Sequence, residues 1–236
     1  MRTRIAVLSI AAFFAAGAVA VAAGTFNDAH PQTSDPAHSK LVHASWESGI
    51  GCPTGASYVD YSGNKGTYSD PACSAGGDQR DHENDGLLLA KTGPENNNAA
   101  AQVTLNNVKG IALTELGYDI RMSPNNPNEG SHCGAGSPRF EITTTDGFWE
   151  IGCSSNGNLP DSTITGDQWE RLRWGSGGQV MGVQPSASYA VTPITGTVKS
   201  IQIVFDESTP GLYGPDGEGV AILDNIDVNG ALVGRG

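Results

Sequence analysis

Apolar residues recur at every second position over short stretches of this chain, and nowhere does an i, i+3, i+4, i+7 pattern last for three turns. The pattern predicts many short strands and little helix. In Leu116–Met122 the residues Leu116, Tyr118, Ile120 and Met122 share one phase and Asp119 and Arg121 the other, which is a half-buried strand. Asp146-Gly147 predicts a two-residue type I′ hairpin turn, because that dipeptide supplies the positive φ angles the turn needs. Counting outward from it sets Thr144 opposite Trp149, Ile142 opposite Ile151 and Phe140 opposite Cys153. Phe140, Ile142, Trp149, Ile151 and Cys153 then face the core, and Glu141, Thr143 and Glu150 face away. Two later strands, Ser200–Phe205 and Val220–Val228, continue the alternation. Turn formers, including 32 glycines, are scattered evenly between these runs. The fold class expected is all-β, an antiparallel two-sheet β-sandwich of the jelly-roll type.

The ends do not share this pattern. Met1-Arg2-Thr3-Arg4 precedes an apolar run from Ile5 to Ala16 and the small residues Ala18–Ala23, the layout of a signal peptide over residues 1–23. Residues 24–40 mix Pro, Ser, Asp and His without a period and read as a flexible lead-in. Residues 41–236 read as one domain, large enough to bury a substantial core. No later apolar run and no hydrophobic C-terminal tail appears, so an extracellular, secreted product is expected, with no membrane insertion after cleavage. Its oligomeric state is left open. Cleavage would remove Arg2 and Arg4 and no acid, taking the formal charge from −12 to −14. Nucleic acid is not an expected partner of such a chain, since phosphate neutralisation needs clustered Lys and Arg.

An oxidising compartment changes the reading of the four cysteines. No C-x-x-C pair and no His at ligand spacing suggests metal, so Cys52, Cys73, Cys133 and Cys153 read as two disulfides. Of the three connectivities, Cys52 with Cys73 and Cys133 with Cys153 is preferred. Each closes a loop of about 20 residues, contributing roughly 3 kcal/mol in the chain-entropy model.

The last strand carries an anomaly. Val220, Ile222, Ile226 and Val228 share a phase, and Asp224 stands among them. A carboxylate on a core-facing phase must be paired, hydrogen-bonded or metal-bound. The alternatives to a metal are a strand bulge that turns Asp224 outward and backbone N–H groups that cap it. The blocks Trp46-Glu47-Ser48-Gly49 and Ile222-Leu223-Asp224-Asn225-Ile226 resemble the first and last strands of jelly-roll carbohydrate-binding modules. That resemblance implies a structural Ca2+ held by Glu47 and Asp224 together with backbone carbonyls. Gly86–Pro94, Leu113–Asp119 and Gly134–Phe140 are similar to segments of secreted bacterial β-sandwich proteins of uncharacterised function, which implies no activity.

Three further features bear on function. Asp81-His82-Glu83-Asn84-Asp85-Gly86 resembles the opening of an EF-hand loop, but Thr92 stands where the bidentate Glu is required, so the segment reads as a solvated loop. Trp169 and Trp174 lie on opposite phases of one strand, which predicts one core ring and one exposed ring. With Tyr213, and with Tyr58 and Tyr61 in Gly-rich loops, they are the candidate ligand-binding aromatics. Catalytic residues: none is indicated, for there is no G-x-S-x-G and no H-E-x-x-H, and no Cys is left over. Three of the five histidines lie before residue 44. A secreted non-catalytic binding or surface-associated protein with a glycan partner is the leading expectation. A polysaccharide hydrolase or lyase and a structural envelope or matrix component are the alternatives.

Overall fold

The computed structural model describes residues 26–59, 61–74, 76–93, 99–122, 131–134, 138–153, 158–176, 178–206 and 219–236. The expected signal peptide and Tyr213 lie outside them. The strands are β1 (Asp28–Ser34), β2 (Val42–Glu47), β3 (Ala56–Val59), β4 (Lys65–Tyr68), β5 (Gly86–Lys91), β6 (Ala100–Asn106), β7 (Leu116–Arg121) and β8 (Arg139–Thr144). They continue as β9 (Phe148–Gly152), β10 (Ser162–Thr165), β11 (Trp169–Trp174), β12 (Met181–Gln184), β13 (Ala190–Pro193), β14 (Val198–Phe205), β15 (Gly219–Val228) and β16 (Ala231–Val233). A four-residue helix α1 (Pro71–Ser74) and a 3-10 turn at Pro185–Ala187 complete the described elements.

Two antiparallel seven-stranded sheets pack face to face. The first runs β1-β6-β14-β8-β9-β12-β13, and the second β10-β11-β7-β15-β5-β2 with β16 beside β15. The quartets β5-β15-β7-β11 and β6-β14-β8-β9 are filled by a chain that crosses between sheets at nearly every connection, and this is the jelly-roll wrap. Leu87, Leu89, Tyr118, Ile120 and Leu223 of the second sheet meet Val103, Phe140, Ile142, Ile203 and Phe205 of the first in one core. Tyr118, Phe140 and Trp174 form an aromatic group at its centre, with ring centroids 5.4 to 6.1 Å apart. The Tyr118 hydroxyl donates to Pro138 O at 3.0 Å and the Trp174 indole N–H to Asn158 O at 3.3 Å, satisfying the two polar atoms this group buries. Both disulfides form as expected, Cys52–Cys73 and Cys133–Cys153.

Four local expectations are corrected. The lead-in is not free over its whole length: Asp28–Ser34 pairs with β6 in seven-residue register, and Phe26 and Ala29 are buried. The hairpin register is two residues off, with Ile142 opposite Trp149 and Phe140 opposite Ile151. Thr144 Oγ1 donates to Thr195 O at 2.7 Å and Thr145 exchanges bonds with Thr197, so residues 144–147 form a longer loop and Gly147 keeps a negative φ. An even shift preserves every face, so the predicted inward and outward sets hold. The strand Leu116–Arg121 is buried on both faces, because a layer of loop covers its outer side. Asp224 does not face the core. Ala221 and Leu223 do, and the register shift between Asp224 and Asp227, with Asn225 at φ 45°, restores Ile226 and Val228 to the core side. That bulge breaks the period-two alternation of the strand, and Asn is the residue type that tolerates the angle.

The two outer faces differ. On the second sheet, the segment from Gly49 to Asp85, with the β3–β4 hairpin, α1 and the Cys52–Cys73 bridge, forms a third layer. Asp70 pins it. Its carboxylate accepts the N–H of Ala72 in α1 and the N–H groups of Gln168 and Trp169 at 2.7 and 3.1 Å. No described element packs over the outer face of the first sheet.

Candidate functional site

Beneath the third layer lies a buried polar network. Asp119 sits between Asp224 on β15 and Arg171 on β11, directly opposed to both. The Arg171 Nε and Nη2 atoms donate to its two carboxylate oxygens at 2.9 Å each, a bidentate pair, and Asn225 Nδ2 adds a third bond at 2.9 Å. Arg173 reaches Asp119 at 3.3 Å and Asp227 at 3.1 Å. Its stem lies over Gly117, where a Cβ would come within 2.3 Å of Arg173 Cδ, so the site has no room for a side chain.

Asp224 is 1% exposed and makes no ion pair among the described residues. Its oxygens accept the Cys52 and Asn225 backbone N–H groups at 2.7 and 2.5 Å. Burial holds its carboxyl well above the usual range despite those two donors, and the neighbouring charges of Asp119 and Asp81 push the same way. The bulge and the backbone cap, the two alternatives to a metal, are both present. Glu47 ends β2, its half-exposed carboxylate accepting Ser45 Oγ at 2.6 Å. The described residues contain no group of three or more His, Cys, Asp or Glu placed to hold a metal ion. Asp224 also lines a cavity of about 690 Å³ with Asp78, Asp81, Glu83 and the Cys52–Cys73 bridge. In the loop that resembles an EF-hand opening, Asp81 accepts the N–H groups of Glu83 and Asp85, so its own backbone uses it as a turn residue.

The aromatic expectation is corrected. Trp169 and Trp174 do point to opposite faces of β11, yet they are only 2% and 1% exposed. Trp174 enters the central core, and Trp169 is covered by Ala72 and the Cys52–Cys73 bridge. Opposite phase gives one exposed ring only when one face is open, and here the third layer closes the second.

The open face of the first sheet carries the functional groups that periodicity left unremarked. One row of outward residues crosses all seven strands in register: His30, Thr104, Gln202, Glu141, Glu150, Val183 and Val191. Gln202 Nε2 donates to Glu141 Oε2 at 2.7 Å, and Arg139 Nη2 donates to Glu141 Oε1 at 2.9 Å and to Asp206 Oδ2 at 2.8 Å. Glu150 lies 3.8 Å from Arg139 Nε, and its carboxyl is pushed up by burial and by Glu141 and Asp206, with Arg139 opposing. Towards one end the face becomes apolar. Phe148, Tyr189 and Val191 are exposed there, and Ser188 and Tyr189 both hold positive φ angles, at 56° and 61°, after the 3-10 turn. Of this face, Glu141, Thr143 and Glu150 were placed outward by the hairpin alternation. Joining them into a row with Gln202 and His30 needs the strand order, which no local pattern carries. No family model, curated protein or solved structure matches the chain.

Proposed function

We propose that the protein is an exported, non-catalytic binding β-sandwich whose ligand is a glycan laid along the open face of the first sheet. The observation that carries this reading is the row from His30 to Val191 beside the exposed Phe148 and Tyr189. Amides, carboxylates, a hydroxyl and a guanidinium held at strand spacing offer donors and acceptors at about 4.8 Å intervals, and sugar hydroxyls need both. Exposed rings at one end offer flat apolar surface for the faces of sugar rings. Export is supported by the two disulfides, which suit an oxidising compartment, and no helix among the described residues is long and apolar enough to cross a membrane. The jelly-roll wrap and the likeness of the Trp46–Gly49 and Ile222–Ile226 blocks to carbohydrate-binding modules add support by analogy.

A hydrolase or lyase is the second reading, favoured by Glu141 and Glu150. They are directly opposed carboxylates in unequal surroundings, one held by Arg139 and Gln202 and the other raised by burial. A glycan array combined with a reducing-end assay separates the readings. Binding without turnover supports the proposal, and turnover lost in Glu150→Gln replaces it with the enzyme reading. Silence in both assays favours an envelope or matrix component. Calcium enters the proposal only as a stabiliser of Asp224, whose charge lacks a cationic partner among the described residues. A melting temperature lowered by chelator supports it, and identical melts in calcium and chelator remove it.

A further inference from the structure

The third layer leaves a second cavity, of about 510 Å³, between the Gly49–Pro53 turn, the β3–β4 hairpin and the ends of β7 and β11. Its charge is opposite to that of the acidic cavity beside it. Arg121 is the one fully charged side chain in its lining, in a chain of formal charge −12. Tyr68, Gln168 and Trp169 complete the wall nearest to it. Arg121 and Trp169 are directly opposed across β7 and β11, on the outer face. Among the described residues neither the Arg121 guanidinium nor the Trp169 indole N–H makes a hydrogen bond, although Trp169 is 2% exposed.

The wall is rigid where it matters. Asp70 fixes the backbone of Gln168 and Trp169 through one carboxylate oxygen, and that oxygen also accepts the Tyr68 hydroxyl at 3.4 Å. Asp70 is fully buried and occupied by these donors, so it acts from behind the wall. Burial and the charge of Asp70 raise the Tyr68 phenol, which stays neutral with its proton directed at Asp70 and its ring edge bordering the cavity. The lining offers a guanidinium, an indole ring, a primary amide and a phenol edge. These are donors and flat apolar surface without a facing carboxylate in the lining.

We propose that this cavity is a site for a carboxylated sugar, a uronic acid residue of an acidic glycan, with Arg121 taking the carboxylate and Trp169 and Tyr68 bordering the ring. A planar guanidinium matches a carboxylate bidentately, and such charge-assisted bonds are about twice as strong as neutral ones. The cavity lies on the opposite side of the sandwich from the open face, so its failure leaves the reading of that face intact.

The test is calorimetric titration of the full mature chain, at low ionic strength, with galacturonate and glucuronate oligomers and with neutral galactose and glucose oligomers. Uronate oligomers are expected to bind at least about tenfold more tightly than neutral ones. Arg121→Gln should reduce uronate affinity about 10- to 100-fold, to the neutral level, and leave the melting temperature unchanged because the side chain is exposed. Arg121→Lys, which keeps the charge and loses the fork, should recover only part of the affinity. Equal affinity for uronate and neutral oligomers, uronate affinity unchanged in Arg121→Gln, or no binding of any uronate overturns the site.

Discussion

Asp119, Arg171, Arg173 and Asp227 show how single residues set the second sheet. Their charges are desolvated, which is tolerable only because each carboxylate oxygen and guanidinium edge has a partner. Gly117 makes the geometry possible. Gly117→Ala should destabilise the fold by roughly 1–3 kcal/mol through overpacking against Arg173 and Leu172 O, measured by urea unfolding. Two acids of the same region respond to pH. Burial raises Asp227 to about 6, with Arg173 opposing and Glu115 adding to the rise, and burial holds Asp224 well above its ordinary 3.8. A folded-state value above the unfolded one favours the protonated fold. The stability these groups contribute is therefore complete below about 3.8 and is lost as pH rises through about 6. Unfolding free energy should increase between about pH 7 and about pH 5, by on the order of 1 kcal/mol from Asp227, and the melting temperature should rise with it. Asp227→Asn should flatten that increase; a wild type that melts lower at the acidic end would oppose this account of the pair.

At the scale of elements, legibility followed the length of unbroken alternation. β8, β9 and the Ser200–Phe205 part of β14 keep period two, and their inward and outward sets were readable from the chain alone. β15 is longer but bulged, so the phase read back from Ile226 and Val228 misplaced Asp224. β1 was missed because Pro31 and the polar DAHPQTS composition hide a strand whose inward contributions are small. It sits at the edge of its sheet, where a proline costs no interior ladder bond. Ala29 O accepts the Trp46 indole N–H at 2.9 Å, tying this edge to β2 of the other sheet. Hydrogen exchange should accordingly protect the inward-bonded amides of Asp28–Ser34, well above the level of Asp35–Lys40. Exchange as fast as in an unstructured peptide would return the segment to a flexible lead-in.

For the molecule as a whole, the sandwich follows from period-two patterning and the disulfides, whereas the function depends on which faces are covered. Nothing local announces that Gly49–Asp85 folds back over the second sheet, so Trp169 could not be recognised as buried or the row around Glu141 as open. Covering one face while no described element packs over the other leaves the row around Glu141 as the outward chemistry of the first sheet. Titrating an isotope-labelled sample with the best-binding neutral glycan, which carries no carboxylate for Arg121, while following backbone and side-chain amide resonances, tests this most directly. The account predicts that the largest shifts fall on the Gln202 side-chain amide and on the outward positions of β8, β9 and β14, extending to Tyr189. Saturating ligand that leaves these resonances unmoved, or moves only residues of the second sheet, would contradict it.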